Sequence, residues 1–454
     1  MSFAECELAI LRANVEEIET KQSKELASSK EIMEMVTVVE EFLRKRRLVC
    51  YGGTAVNNIL PKEVQFYNKE LEVPDYDFYS PNALEDAKIL ADIFHEKKFS
   101  DVQATAGVHH GTYKVYVNFI AIADITLLHP TVFKSMTKEA VELDGILYCP
   151  PNFLRMNMYL ELSRPAGDVS RWEKIYKRLT LLNEHYPFDI QKKCTRLDFR
   201  QSNQSSGRLY DEIRNALIDN GVVFFGGYAT RLYSQYMPKT QREMIRKIPD
   251  FDVLSDSFEH CANMLIERLK LKGFSATKRQ YDGVGEITPE RIDIIVKKDV
   301  MVSIYKPIAC HNYNVITIEK REVKVATIDT ILSFYLAFYY SDHSKFSKDR
   351  LMCMCKFLFD LRKSQKKTGL LQKFSMTCYG TQPTLETIRA EKMRKFEELR
   401  DKRGTAEYDE WFLKYVPSRT EKPHRKTEKK QRPVRKRKTE KKKKTKRSRS
   451  ASIW

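Results

Sequence analysis

The feature that most constrains the fold is an internal repeat, in which one order of motifs occurs twice along the chain. The first copy has a helical stretch, Glu31 to Arg46, then a short apolar strand and Gly52-Gly53-Thr54. The second copy has Leu209 to Asp219, another short apolar strand and Gly226-Gly227-Tyr228. At nearly the same distance after each glycine pair, two segments match in residue type at each position: Val73-Pro74-Asp75-Tyr76-Asp77-Phe78-Tyr79-Ser80 and Ile248-Pro249-Asp250-Phe251-Asp252-Val253-Leu254-Ser255.

The repeat continues beyond each Asp-x-Asp motif. Amphipathic stretches follow, Asn82 to Lys98 and Phe258 to Lys272, and their apolar spacing predicts helices. Each copy then has a predicted strand with one isolated acid: Asp124 within Tyr113 to Thr126, and Asp293 within Arg291 to Val296. The sequence therefore predicts an α/β (α+β) fold of two tandem modules, each a mixed sheet flanked by helices.

The pattern divides the chain into five segments. These are a helical N-terminal segment (1–45), a first module (46–204), a second module (205–375), a C-terminal helical segment (376–417) and a basic tail (418–454).

Most of the formal charge of +19 lies in the tail. Between Arg419 and Arg449 there are 18 Lys and Arg against three Glu, a net of +15, which leaves +4 for the remainder. With almost no apolar residues the tail cannot bury enough surface to fold, so we expect it to be disordered. Such a basic arm is typical of RNA binding, and it serves nuclear targeting as readily.

The nine cysteines are scattered without a CxxC pair, which argues against a zinc site. We expect them to be reduced thiols in an intracellular protein. The most apolar run, Ile328 to Tyr340, is too short to span a bilayer and is expected to form a core helix, so no membrane association is predicted.

The Asp-x-Asp motif of the first module predicts a metal site. Residues i and i+2 of a strand point to the same side, so Asp75 and Asp77 present two carboxylates together while Tyr76 and Phe78 face the core. Asp124 on a neighbouring strand would complete a set of hard oxygen ligands for two magnesium ions, the arrangement that supports in-line phosphoryl transfer.

The glycine pair predicts a phosphate site beside these carboxylates. Gly52 and Gly53 lie between a strand and a predicted helix, where missing side chains let backbone N–H groups approach a triphosphate. Thr54 can add a hydroxyl contact. Each motif alone is weak, but Gly-Gly-Thr, Asp-x-Asp and a later strand Asp in this order form a specific set.

These residues resemble the DNA polymerase β-like nucleotidyltransferase superfamily. More narrowly, three runs resemble the poly(A) polymerase catalytic subunits of large cytoplasmic DNA viruses, of the poxvirus and giant-virus type: Tyr51-Gly52-Gly53-Thr54-Ala55-Val56-Asn57-Asn58, Asp75-Tyr76-Asp77-Phe78, and Leu154-Arg155-Met156-Asn157-Met158-Tyr159-Leu160-Glu161-Leu162-Ser163-Arg164-Pro165. The resemblance covers about residues 45 to 375. The interval from Gly53 to Asp75 is longer than in most of the superfamily, although it suits the viral branch.

The resemblance implies a polynucleotide adenylyltransferase that adds AMP from ATP to an mRNA 3′ end with two Mg²⁺ (or Mn²⁺) ions. Asp75 and Asp77 would bind both metals, and Asp124 would bind the catalytic metal and assist deprotonation of the primer 3′-hydroxyl. Independently of the resemblance, Arg155 and Asn157 lie in a polar, helix-like region just after the catalytic module, where they are candidates for contacts with ATP or RNA, although a solvated helix face with ordinary ion pairs explains them nearly as well.

The resemblance also implies a degenerate second module, because Tyr228 replaces the small hydroxyl residue after its glycine pair. It further implies a homodimer, or a heterodimer with a viral methyltransferase-like subunit, in the host cytoplasm (the viral factory) or in the virion. Two alternatives stay open: another RNA-directed terminal nucleotidyltransferase, such as a uridylyl- or tRNA-end-adding enzyme, and a non-catalytic RNA-binding scaffold.

Overall fold

The first module is built on a mixed sheet of eight strands. In this computed structural model the described residues are 6–8, 10–11, 13–15, 17–18, 21, 29–67, 74, 76–188, 190, 194, 207–245, 249–341, 343, 346–363 and 369–417. The elements of this part are α1 (Lys30–Arg46), β1 (Val49–Cys50), α2 (Gly52–Ile59), β2 (Tyr76–Ser80), α3 (Ala83–Glu96), β3 (Gln103–Ala106), β4 (Thr112–Val117), β5 (Ile120–Leu127), α4 (Pro130–Thr137), β6 (Val141–Leu143), β7 (Ile146–Tyr148), α5 (Pro151–Leu162) and α6 (Trp172–His185).

The second module has its own eight-stranded mixed sheet, in the order β10-β11-β12-β9-β8-β14-β13-β15. Its elements are α7 (Gly207–Asp219), β8 (Val223–Phe225), α8 (Gly226–Tyr233), α9 (Lys239–Met244), β9 (Phe251–Leu254), α10 (Phe258–Leu271), β10 (Ala276–Tyr281), β11 (Arg291–Val296), β12 (Asp299–Tyr305), β13 (His311–Ile318), β14 (Arg321–Ala326), α11 (Ile328–Tyr340), α12 (Lys348–Arg362) and β15 (Cys378–Tyr379). The described chain ends with α13 (Leu385–Leu399), α14 (Ala406–Phe412) and β16 (Lys414–Tyr415), which pairs with β3 of the first sheet.

The two sheets share one topology. Strands β3-β4-β5-β2-β1-β7-β6 of the first correspond in order to β10-β11-β12-β9-β8-β14-β13 of the second, and each neighbouring pair has the same parallel or antiparallel sense. The predicted α/β architecture of two tandem mixed-sheet modules is therefore confirmed. The predicted helices Glu31 to Arg46 and Leu209 to Asp219 also form, as α1 and α7.

One predicted strand is wrong in its extent. The run Tyr113 to Thr126 contains two strands, β4 and β5, joined by a tight turn at Asn118 and Phe119 with φ of 50° and 65°. A similar turn at Lys297 and Lys298, with φ of 51° and 74°, joins β11 to β12. Tight hairpins of this kind usually contain Asn-Gly or Asp-Gly, and neither turn contains glycine, so the sequence did not signal them.

The modules are joined by α5 and α11. Every residue of α11 except Tyr339 is buried, which confirms the predicted core helix. The Tyr340 ring packs edge-on against Phe153 of α5 at 5.1 Å between centroids. The Tyr339 and Tyr340 hydroxyls donate to the Glu139 carboxylate at 2.5 and 3.2 Å. The described residues up to Pro417 accordingly form one compact unit.

Four cysteines differ from the expectation of reduced thiols. Cys194 is bonded to Cys353, and Cys310 to Cys378. These pairs are 159 and 68 residues apart in sequence, so only the folded chain brings their thiols together. Among the described helices, none is long and apolar enough to cross a membrane.

Candidate active site

Two of the predicted metal ligands lie side by side on neighbouring strands. Strands β2 and β5 are parallel, and Asp77 is registered directly opposite Asp124. Residues in register on paired strands point to the same face of the sheet, so both carboxylates emerge on one side. Along β2 the flanking Tyr76 and Phe78 are buried while Asp77 is half-buried, which confirms the predicted alternation.

Lys114 balances part of this negative charge. It lies opposite Asp124 on the antiparallel strand β4, and its ammonium forms an ion pair with Asp124 Oδ2. The Lys114 and Asp124 side chains are 34% and 20% exposed, so solvent still reaches the pair. Adjacent carboxylates repel each other, and a cation on one of them lowers the cost of holding both in place.

The glycine pair brings the N-terminus of α2 against these carboxylates. Gly52 has a φ of +72°, in the left-handed region, and a Cβ there would lie 2.7 Å from Asp77 Oδ2. The Tyr51 amide donates to the Asp77 carbonyl at 2.9 Å, which fixes the strand-to-helix turn beside β2. The N–H groups of the first helical turn and the two carboxylates therefore share one small region.

An aromatic pair, Tyr51 and Tyr79, packs at this strand-to-helix turn. The Tyr51 ring stacks on Tyr79 with centroids 4.0 Å apart, and its hydroxyl shares a 2.9 Å hydrogen bond with Thr126. Burial, and then the negative charge of Asp77, raise the pKa of Tyr51. Tyr51 is therefore a neutral hydroxyl at physiological pH that positions the start of α2.

The third predicted ligand, Asp75, lies outside the described residues. Within the described part of the chain no group of three His, Cys, Asp or Glu side chains comes together as a metal site. Asp77 and Asp124 nevertheless fit a hard divalent cation, because both are oxygen donors on one face of the sheet.

The remaining predicted binding residues lie at different depths. Thr54 is buried within the first turn of α2. Asn157 is half-buried on α5, and its amide donates to the Tyr79 hydroxyl at 3.4 Å, so it lies behind the aromatic pair.

Arg155 is 1% exposed, and its guanidinium donates to Asn183 and Asn152 at 2.7 and 2.5 Å. Its guanidinium also lies over the Phe188 and Phe359 rings, and burial lowers its pKa to about 10. These contacts place Arg155 in the core, while its predicted role in binding ATP or RNA stays a prediction.

Two further side chains reach the glycine pair and were not singled out from the sequence. A Cβ on Gly53 would lie 2.6 Å from the Tyr67 hydroxyl oxygen and 3.0 Å from both terminal nitrogens of Arg178. Arg178 donates to the Tyr67 hydroxyl at 2.6 Å across 111 residues of sequence. Such a long separation leaves no sequence signal for the contact between the two side chains. The only hint in the sequence is that Arg178 lies on a predicted polar helix near the end of the first module, where a phosphate-binding arginine could be sought.

The second module reproduces the turn but differs in its ligands. Gly226 has a φ of +62° and lies against Asp252, as Gly52 lies against Asp77. Asp252 is registered opposite Ser303, which is therefore the counterpart of Asp124. Asp293 is registered opposite Ser303 from the next strand, the position that Lys114 has in the first module. Pairing Asp293 with Asp124 is wrong, because the sequence did not show which strand of each hairpin carries the acid.

The acids of the second module are buried, and arginines lie beside two of them, Asp293 and Asp250. Asp293 is 2% exposed, accepts from Arg291 at 3.2 Å and from Ser303 at 2.7 Å. Arg350 lies 3.6 Å from Asp250. The ring of Tyr228 packs in the core on Phe224 and Phe251 instead of leaving space at the helix start. Guanidinium groups thus lie beside two of the three carboxylates of this module, which supports a structural role for those two.

Comparison with known proteins confirms the resemblance to viral poly(A) polymerase catalytic subunits. Residues 37–168 match the family model described as "Poly(A) polymerase catalytic subunit", a region that contains all three predicted metal ligands. A protein of African swine fever virus (isolate Tick/Malawi/Lil 20-1/1983), named as a candidate poly(A) polymerase catalytic subunit, is 32% identical over 183 residues. A protein of Acanthamoeba polyphaga mimivirus with the same name is 32% identical over 160 residues.

These sequence matches cover 39% and 34% of this chain, and the chain spans only 38% and 27% of the two relatives. A solved structure, that of the Megavirus polyadenylate synthase, extends the likeness of the fold. The two structures match with a TM-score of 0.75 and 21% sequence identity, over 91% of this chain and 86% of the Megavirus chain. The fold of both modules is therefore that of the Megavirus protein, while the match to the family model, residues 37–168, ends within the first module.

Proposed function

We propose that this chain is a template-independent polynucleotide adenylyltransferase, which adds AMP from ATP to the 3′ end of mRNA by two-metal phosphoryl transfer. The observation that carries the proposal is the parallel register of Asp77 and Asp124 beside the N-terminus of α2. The match of residues 37–168 to poly(A) polymerase catalytic subunits supports ATP as the nucleotide and RNA as the acceptor.

Each part of the site has a distinct task in this reaction. The carboxylates of Asp77 and Asp124, with Asp75, would hold the divalent ions, which stabilise the charge on the attacking and leaving oxygens when bound. The first-turn N–H groups at Gly52 and Gly53 bind and orient the triphosphate. Asp124, opposite Asp77, accepts the proton of the primer 3′-hydroxyl.

Lys114 prepares the site for the ions. Its ammonium neutralises Asp124 while no other cation is near, so the carboxylate pair is stable in the free protein. Because the Lys114 side chain is one-third exposed, it can move into solvent when a divalent ion approaches. The second module, with Ser303 opposite Asp252 and arginines beside Asp293 and Asp250, takes no part in the chemistry.

The proposal extends to partners. The matched relatives are named as catalytic subunits, which supports a partner subunit here, either a second copy of the chain or a methyltransferase-like protein. Light scattering of the purified chain separates a homodimer from a monomer that requires another protein.

The test is substitution of the two described acids. Asp77→Ala and Asp124→Ala should each remove nearly all Mg²⁺-dependent incorporation of labelled AMP into a short RNA, while RNA affinity and the melting temperature stay close to wild type. The matched control is Glu96→Ala, an exposed carboxylate at the end of α3, which should keep full activity. Full activity in both aspartate variants would overturn the site. A wild-type protein that binds RNA but incorporates no nucleotide would favour an RNA-binding scaffold.

A further inference from the structure

We infer that Arg178 and Tyr67 form a side-chain clamp over Gly53 that binds the triphosphate of the incoming nucleotide. The inference rests on the proposed function, since it assigns two new residues to the nucleotide site of the same reaction.

The first observation is the convergence of positive groups. Both terminal nitrogens of Arg178 lie 3.0 Å from where a Gly53 Cβ would be, so the guanidinium lies directly over the first turn of α2. The N–H groups of that turn carry the positive end of the helix dipole. The charge of Arg178 acts on the Glu161 carboxylate at longer range, while Glu161 forms its ion pair with Arg171 at 3.6 Å. Two positive features that face each other favour an anion in that position.

The second observation is that Arg178 is held in place by uncharged groups. Its guanidinium lies over the Phe66 and Tyr67 rings, at 4.9 and 5.5 Å from their centroids, and donates to the Tyr67 hydroxyl at 2.6 Å. Stacking and one hydrogen bond fix the orientation of the guanidinium without neutralising its charge. An arginine fixed in this way presents a planar fork of donors, which matches the geometry of phosphate oxygens.

The third observation links the clamp to the helix that it faces. Asn57, on α2 and 1% exposed, accepts from the backbone N–H groups of both Phe66 and Tyr67 at 2.8 Å. The loop that carries the clamp is therefore tied to the same helix whose N-terminus binds phosphate. Arg178, Tyr67 and the glycine pair then move as one unit, which lowers the entropic cost of ordering them on a ligand.

The second module has a different group in this position. The space over Gly227 is occupied by the Asp250 carboxylate, whose Oδ1 would lie 2.9 Å from a Cβ there. A carboxylate in that position repels phosphate, whereas a guanidinium attracts it. Among the residues that the structure describes, the second glycine of the pair thus faces a guanidinium in the first module and a carboxylate in the second; Asp75, the counterpart of Asp250, lies outside them.

The test compares the full chain with three variants, using MgATP and inorganic tripolyphosphate as probes. A charge-assisted hydrogen bond contributes about 1.5–3 kcal/mol, so Arg178→Gln should raise KM for ATP and Ki for tripolyphosphate by roughly 10–150-fold. The turnover number should stay within a few-fold, because the clamp binds ground state and transition state alike. Arg178→Lys, which keeps the charge but not the planar fork, should give a smaller rise.

The matched control is Lys177→Gln, which removes one positive charge from the neighbouring position of α6. Lys177 is 71% exposed and pairs with Glu173, so KM and Ki should stay within about two-fold of wild type. A merely structural role for Arg178 would lower the melting temperature without separating KM from the turnover number. If Arg178→Gln is unstable, the lysine variant decides.

Unchanged KM and Ki in a folded Arg178→Gln protein, or equal losses in the Lys177 control, would overturn the clamp. Failure of the proposed function shows itself differently, as no nucleotide incorporation by the wild type. In that case the clamp is still tested by itself: wild type should bind tripolyphosphate and Arg178→Gln should not.

Discussion

Substituting one acid in each module should produce opposite phenotypes. Asp293 of the second module forms an ion pair with Arg291 in which the two side chains are 3% and 7% exposed. Removing one partner of a buried pair costs about 3–5 kcal/mol, because the other charge stays desolvated. Asp293→Asn keeps an acceptor for the Ser303 hydroxyl, so we expect the lower end, about 3 kcal/mol.

The same change in the first module should barely affect stability. Asp124 and Lys114 are partly exposed, and a pair of this kind contributes about 0–1 kcal/mol. Asp124→Asn also removes repulsion with Asp77 across the strand pair. At roughly 2–4 °C per kcal/mol for a module of this size, Asp293→Asn should melt about 6–12 °C below wild type, and Asp124→Asn within about 4 °C of it.

Activity should follow the reverse order. Below its melting temperature, Asp293→Asn should extend an RNA primer within a few-fold of wild type, whereas Asp124→Asn should be nearly inactive. Thermal melts and primer extension at about 20 °C on the same samples give both readouts. Loss of extension in folded Asp293→Asn would mean that the second module takes part in catalysis. A decrease in melting temperature for Asp124→Asn as large as that for Asp293→Asn would make Asp124 a structural residue.

Three further outcomes follow from the structure and the sequence. Mg²⁺ should raise the melting temperature of wild type and of Asp293→Asn, but not of Asp77→Asn, because a ligand stabilises only the folded state that binds it. Equal increases in all three proteins would mean that Asp77 does not bind the metal. Burial, and then the charge of Arg164, lower the pKa of His311 to about 3, from an ordinary 6.5, so the folded protein keeps His311 neutral while the unfolded chain takes up a proton below pH 6.5. As the pH falls from about 6.5 towards 4, the free energy of unfolding of wild type should therefore decrease relative to that of His311→Phe by up to about 1.4 kcal/mol per pH unit. Denaturant titrations at several pH values measure this, and the same pH dependence of the unfolding free energy in both proteins would contradict it. Deleting residues 418–454, which lie outside the described residues, should shorten products and flatten the salt dependence of RNA binding by roughly 0.7 in log–log slope for each phosphate that the tail neutralises, and an unchanged slope would favour the targeting role.

The sequence revealed those parts of the site that depend on local patterns. The glycine pair before α2 and the alternation around Asp77 follow from backbone conformation and strand period, which short motifs encode. The repeat also revealed the order of the secondary structure elements, because both modules keep the same pattern of apolar strands and amphipathic helices.

Features that depend on register or on distant contacts were not legible. Assigning Asp293 to the position of Asp124 failed by one strand, because the turn at Asn118 and Phe119, which divides the predicted strand Tyr113 to Thr126, has left-handed residues without glycine. The contact of Arg178 with Tyr67 joins residues 111 apart, and no local pattern records it. Such contacts are set by how helices dock on the sheet, which a single sequence does not specify.

The most direct test of the proposed function is a primer-extension assay on the full chain with one nucleoside triphosphate at a time. Pure protein, a short 3′-hydroxyl RNA and Mg²⁺ or Mn²⁺ are incubated with ATP, UTP, CTP or GTP, and products are resolved on a gel, with Asp124→Asn as the inactive control. We predict long products with ATP, much shorter ones with the other nucleotides, and none with Asp124→Asn or without metal. Extension that prefers UTP would contradict adenylyl transfer, and extension that stops at a few added residues would contradict poly(A) synthesis. An Asp124→Asn protein as active as wild type would contradict the site itself.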